Sequence, residues 1–220
     1  MKRTQCFMVL AIFPVLFGQA CLVKAQEQPA DPNTSKTPHY TFSDTLEEQL
    51  EELETNPLLK RFRISREAKA DDPHRPIYHY VNPEGRLNDP NGLCFWQGRW
   101  HLFYQAYPLD DPRQHWGHAV SDDLIHWQDL PLAIYPGPER ACFSGATFVD
   151  ADATFQERAA LYGRTIINGD VGIKKVEEDR VIAMYHGTTV GNMVAVSSDP
   201  LLLNWEKLTG EAVIPMDGID

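Results

Sequence analysis

The chain has 220 residues, 43% hydrophobic and 23% charged, a globular balance with room for one or two domains and a real core. Its formal net charge is −11. That acidity argues against nucleic acid or an anionic membrane as a partner and suits a neutral substrate.

Lys2 and Arg3 precede an apolar run, Cys6 to Gly18, that is too short to span a bilayer. Val23-Lys24-Ala25 offers small residues for cleavage before Gln26. Residues 1–25 are therefore expected to be a signal peptide, with export to a periplasmic, cell-surface or extracellular location. The alternative is a lipoprotein signal with a lipid anchor at Cys21, which Gln19 fits poorly. No other stretch has the length and apolarity of a membrane span. Cleavage after Ala25 removes three bases and no acid, leaving 17 bases against 31 acids, or −14. Two cysteines remain, Cys94 and Cys142. The sequence leaves open whether they pair or stay as buried thiols, and they are too few for a metal cluster.

Residues 26–42 have the Gln, Pro, Thr and Ser content of a flexible linker. Residues 43–76 read as a helical extension. Thr45-Leu46-Glu47-Glu48 is a capping-box pattern, and Leu46, Leu50 and Leu53 share one helix face. Asn56-Pro57 ends this helix and starts another, through about Glu67. Asp71-Asp72-Pro73 breaks the helical region.

Residues 77–220 change to short runs of β-branched and aromatic residues. Leu93–Trp96 and Trp100–Tyr104 flank Gln97-Gly98, which predicts a hairpin. Further strand-like runs are Ala119-Val120, Ile125–Trp127, Thr147–Val149, Thr165–Ile167, Val181–Tyr185 and Met193–Val196. The runs repeat. Arg99–Tyr104 resembles Arg180–Tyr185, Ala119-Val120-Ser121 resembles Ala195-Val196-Ser197, and Leu124–Trp127 resembles Leu202–Trp205. Gly92–Phe95 parallels Gly145–Phe148, with an insertion between Val149 and Arg180. Four short strands per repeat is the pattern of a β-propeller blade. About two such units fit, so the chain is expected to be the front part of a larger all-β domain.

The chemistry-bearing residues fall at matching edges of the two units. Asn88-Asp89-Pro90-Asn91-Gly92 is expected to form a turn that leads into the first strand and aims Asp89. Phe143-Ser144 precedes the first strand of the second unit. Both would face one central channel. Gln105 ends the second strand of the first unit, and Trp116 is a candidate stacking platform. His115 and His118 have no evident third ligand, so no metal or other cofactor is expected.

Asn88–Gly92, Phe103-Tyr104-Gln105, Trp116-Gly117-His118-Ala119, Ser121–Leu124 with Trp127, and Phe143–Ala146 stand in an order that resembles glycoside hydrolase family 32. That family contains invertases, levanases and inulinases. The resemblance implies a five-bladed β-propeller, here about its first two blades behind a short helical N-terminal extension. It implies retaining hydrolysis of β-fructofuranosyl bonds in sucrose, levan, inulin or related fructans, with Asp89 as nucleophile. Asn88, Gln105, Trp116, Phe143 and Ser144 match the positions that line the fructose pocket. This chain departs from the family twice. Arg86 stands where an aromatic residue is frequent. The Arg-Asp-Pro and Glu-Cys motifs, the latter carrying the acid/base Glu, are both absent. The 220 residues alone are therefore expected to be inactive. A non-catalytic carbohydrate-binding propeller fragment is the alternative reading.

Overall fold

The computed structural model describes residues 31–76, 78–150, 179–208 and 210–216. The expected signal peptide, the Cys21 alternative and the Thr165–Ile167 run lie outside them. Two helices come first, α1 (Leu46–Thr55) and α2 (Pro57–Glu67). Thr45 caps α1: its hydroxyl donates to the Glu48 carboxylate at 2.6 Å and accepts from the Glu48 amide at 3.4 Å. Asn56 caps α2 by accepting from the amides of Leu58 and Leu59, and Pro57 fills the first helical position. Leu53, Leu58, Leu59 and Phe62 are buried. Leu50, expected on the inner face, is 48% exposed. Gln49 is enclosed instead, because its side-chain amide has fixed partners, Ser43 O at 2.9 Å and the Asp199 carboxylate at 2.8 Å.

The remaining strands form two antiparallel sheets. The first runs β1 (Arg86–Trp96), β2 (Arg99–Tyr107), β3 (His115–Ser121) and β4 (Trp127–Ile134), in chain order. The second runs β5 (Cys142–Asp150), β6 (Arg180–Gly187), β7 (Gly191–Ser197) and β8 (Glu206–Lys207), with β9 (Ile214–Pro215) also pairing β7. These are two consecutive propeller blades. Gln97 (φ 43°) and Gly98 (φ 85°) make the expected tight hairpin turn. β4 begins at Trp127, the last residue of the expected Ile125–Trp127 run, because Ile125 and His126 are held in a turn by hydrogen bonds from their amides to Asp123. Pro131 interrupts the pattern but is accommodated in an outer strand that pairs only with β3.

The repeat is real at the level of single atoms. Asp123 accepts from the amides of Ile125 and His126 and from Ser121 Oγ. Asp199 accepts from the amides of Leu201, Leu203 and Asn204 and from Ser197 Oγ. Each turn holds a leucine at positive φ, Leu124 at 65° and Leu202 at 52°. Each leucine carbonyl accepts an indole N–H, from Trp127 at 3.2 Å and from Trp205 at 2.8 Å.

One core lies between the blades and holds Phe103, Trp116, Ala183, Tyr185 and Met193. A second packs Leu53, Leu58, Leu59 and Phe62 on Tyr104, Val120, Leu130, Leu201 and Leu203. Each large side chain so buried contributes about 1.5–3 kcal/mol. Cys94 and Cys142 are both buried free thiols, so the pairing left open by the sequence does not occur.

Asp199 joins the second blade to α1 through Gln49. Asp199→Ala is expected to lower stability by about 2–4 kcal/mol, because Gln49 and three buried or part-buried amides lose their acceptor. The equivalent Asp123→Ala, in an exposed turn where the carboxylate's partners are Ser121, Ile125 and His126 of the same turn, is expected to cost less. Urea denaturation checks the order, and equal midpoints for the two variants would contradict it.

Candidate active site

The Asn88–Gly92 motif is not a turn ahead of a strand, as patterning suggested. It lies inside β1 and overlaps two one-residue bulges. Pairing with β2 slips once between Leu87↔Ala106 and Pro90↔Tyr104, and again between Asn91↔Phe103 and Cys94↔His101. The first bulge holds Asn88 and Asp89 and leaves both exposed. Gly92 has φ 62°, and a Cβ there would stand 2.9 Å from Thr147 Cγ2 and 3.1 Å from the Trp116 ring. Thr147 Oγ1 also donates to Gly92 O at 2.7 Å. Glycine is thus required both by the backbone and by the closeness of the second blade.

β5 carries a bulge of the same kind. Its pairing slips between Cys142↔Gly187 and Gly145↔Tyr185, and the slip holds Phe143 and Ser144. The two bulges meet. Asn88 Nδ2 donates to Gln105 Oε1 at 2.8 Å, Gln105 Nε2 donates to Ser144 Oγ at 2.7 Å, and Ser144 Oγ donates to Asp89 Oδ2 at 2.9 Å. Four expected site residues therefore form one relay that crosses both blades and ends on a carboxylate. Gln105 is buried at 3% exposure, so the middle of the relay is shielded while Asp89 faces outward.

The other expected residues sit around it. Phe143 is 38% exposed, with its ring 5.9 Å from that of His186. Trp116 departs from expectation: it is fully enclosed between Phe103 and Tyr185 and offers no stacking face. It acts instead through its indole N–H, which donates to Phe143 O at 2.9 Å and so holds the second bulge. Arg86, the residue that departs from the family pattern, lies over the Tyr107 ring at 4.3 Å. One participant escaped sequence reading: Gln114 Nε2 donates to Gln105 Oε1 at 3.2 Å. A glutamine in a loop carries no local signal of that role. His115 and His118, the pair with metal-like spacing, are engaged elsewhere, His115 with Ser35 and Arg113 O and His118 with His101. Among the described residues no group of three or more His, Cys, Asp or Glu is placed to hold a metal ion.

Residues 79–218 match the family model of the glycosyl hydrolases family 32 N-terminal domain. The chain belongs to glycosyl hydrolase family 32. It is 36% identical over 153 residues to a levanase of Bacillus subtilis, covering 67% of this chain and 20% of the levanase. It is 48% identical over 80 residues to a sucrose-6-phosphate hydrolase of Escherichia coli, covering 34% of this chain and 17% of that enzyme. A solved GH32 beta-fructofuranosidase of Bombyx mori is 30% identical over 68% of this chain and 28% of its own, with a TM-score of 0.46. The chain thus spans about a fifth or less of these two curated relatives.

Behind the relay of this family 32 domain, three histidines are kept neutral. Burial pushes His101 and His115 down to about 4, and burial with the neighbouring His101 pushes His118 well below the ordinary value of 6.5. Arg113 O can only accept, so His115 Nδ1 carries the proton and Nε2 accepts from Ser35 at 2.6 Å. The unfolded chain binds protons at these histidines near pH 6.5 and the native state does not. Stability is therefore full above about pH 6.5 and falls as pH drops toward 4, by about 1 kcal/mol per pH unit for each histidine. Urea midpoints at pH 7.5 and pH 5 check this, and the drop is expected to shrink in His115→Gln. A higher midpoint at pH 5 would contradict it.

Proposed function

We propose that this chain carries the nucleophile half of a retaining β-fructofuranosidase that acts on sucrose, levan, inulin or a related fructoside. The observation that supports this is the relay onto Asp89. Ser144 has a single hydroxyl hydrogen. Because its oxygen accepts from Gln105, that hydrogen goes to Asp89 Oδ2. Among the described residues nothing bonds to Oδ1, which is left to meet the substrate. Ser144 fixes the carboxylate's rotation, as a nucleophile in a covalent mechanism requires.

In the proposed reaction Asp89 attacks the anomeric carbon of the fructosyl unit and forms an ester. The bond to the leaving oxygen breaks as that oxygen takes a proton from a general acid. Water, deprotonated by the same group, then cleaves the ester with net retention. No Asp or Glu among the described residues joins the relay to serve as that acid, and we assign the role to none of them. General acid catalysis is worth about 10²–10⁴ in rate, so the acid is a requirement for useful turnover. Phe143 and Arg86 with Tyr107 are proposed to shape the approach to Asp89, and the exposed Asn88 to offer a polar group to sugar hydroxyls, while the enclosed Gln105, expected to line the pocket, holds Asn88 and Ser144 in place. Export through the N-terminal signal is part of the same proposal and would bring the enzyme to extracellular fructosides.

In the full-length polypeptide, Asp89→Ala is expected to cut turnover of sucrose or levan by at least about 10³-fold while circular dichroism and the thermal midpoint stay near wild type. Turnover within tenfold of wild type in that variant would remove Asp89 from the nucleophile role.

A further inference from the structure

The relay has a direction, and Asn88 alone does not fix it. If the amides of Asn88 and Gln105 both turned over, Gln105 Oε1 would face Ser144. Ser144 would then donate to Gln105, and Asp89 would lose its hydrogen bond. Gln114 bears on this choice, because its Nε2 also donates to Gln105 Oε1 at 3.2 Å. Both acceptor sites of that oxygen are then filled from one side, and reversing the relay requires three amides to turn at once.

Gln114 is held in place by a segment outside the family match. Residues 31–42, expected from composition to be a flexible linker, run against the two loops beside the site. Arg113 donates to Asn33 O at 2.9 Å and to Thr34 O at 3.1 Å. The Lys36 amide donates to Asp111, and Ser35 Oγ meets His115 at 2.6 Å. On the other loop, Asn33 Nδ2 donates to Pro138 O at 2.7 Å and the Ser35 amide to Pro136 O at 3.2 Å. Gln114 O in turn accepts from the Cys142 amide at 2.9 Å, at the start of the second bulge. Residues 33–36 thus pin the loop that carries Gln114 and the loop that leads to Ser144.

We infer that Gln114 is a positioning residue for the Asp89 site and that residues 33–36 are the strap that sets it. It acts through Gln105, not on the substrate. This rests on the proposed fructosidase reading, and the two can fail separately. The test uses the full-length protein with sucrose and levan. Gln114→Met keeps the length and removes the donor. The variant is expected to lower kcat/KM by about 10- to 100-fold, chiefly through kcat, with the thermal midpoint nearly unchanged. In a Gln105→Met background the same change is expected to have no further effect. Ser35→Ala is expected to lower kcat/KM less and to show the same coupling, and it serves as the test if Gln114→Met does not fold. Wild-type kcat/KM in the tested variant, or equal losses with and without Gln105, would overturn the inference while leaving the fructosidase reading standing. No fructoside turnover by the wild-type protein would overturn both.

Discussion

The hydrogen bond from Ser144 to Asp89 joins two blades at the point where each departs from regular pairing, and much of the structure serves to make it possible. A regular strand would alternate its side chains between the two faces of the sheet. One extra residue near the start of β1 turns Asn88 and Asp89 outward, and one extra residue in β5 does the same for Phe143 and Ser144. The blades must then approach closely enough for a serine hydroxyl to reach a carboxylate. Gly92 allows that approach, Thr147 bonds across it, and Trp116 holds the second bulge by its carbonyl.

The parts outside the blades support the same geometry from two sides. The helices bury Leu53, Leu58, Leu59 and Phe62 against residues of both blades, and Gln49 ties α1 to Asp199. The strap ties the β2–β3 and β4–β5 loops together. Neither belongs to the regular strand repeat. Both act where successive blades have to keep register with one another, which a lone antiparallel sheet does not ensure.

Sequence patterning revealed the helices, their caps, the Gln97-Gly98 hairpin and the blade repeat, because each depends on residues close together in the chain. The Leu124–Trp127 and Leu202–Trp205 repeat is legible for the same reason, but Ile125–Trp127 reads as a strand run where residues 122–126 form a turn. The bulges were not, since a bulge is defined by the partner strand and shows only when registers are compared. The Asn88–Gly92 stretch therefore read as a turn. The role of Trp116 is not legible in the sequence, because an indole signals neither its face nor its N–H partner. Gln114 and the strap were invisible because Ser35 and His115 stand 80 residues apart. Composition marks residues 26–42 as polar and Pro-rich, and it says nothing about hydrogen bonds to a distant loop.

In the proposed mechanism this cross-blade relay presents Asp89 as the nucleophile. The most direct test is to quench full-length protein with acid during turnover of a fructoside with a good leaving group and to map its peptides by mass spectrometry. A fructosyl ester is expected on the peptide that contains Asp89, lost in Asp89→Asn and reduced in Ser144→Ala. An adduct on a different carboxylate, or turnover that inverts the anomeric centre, would contradict it.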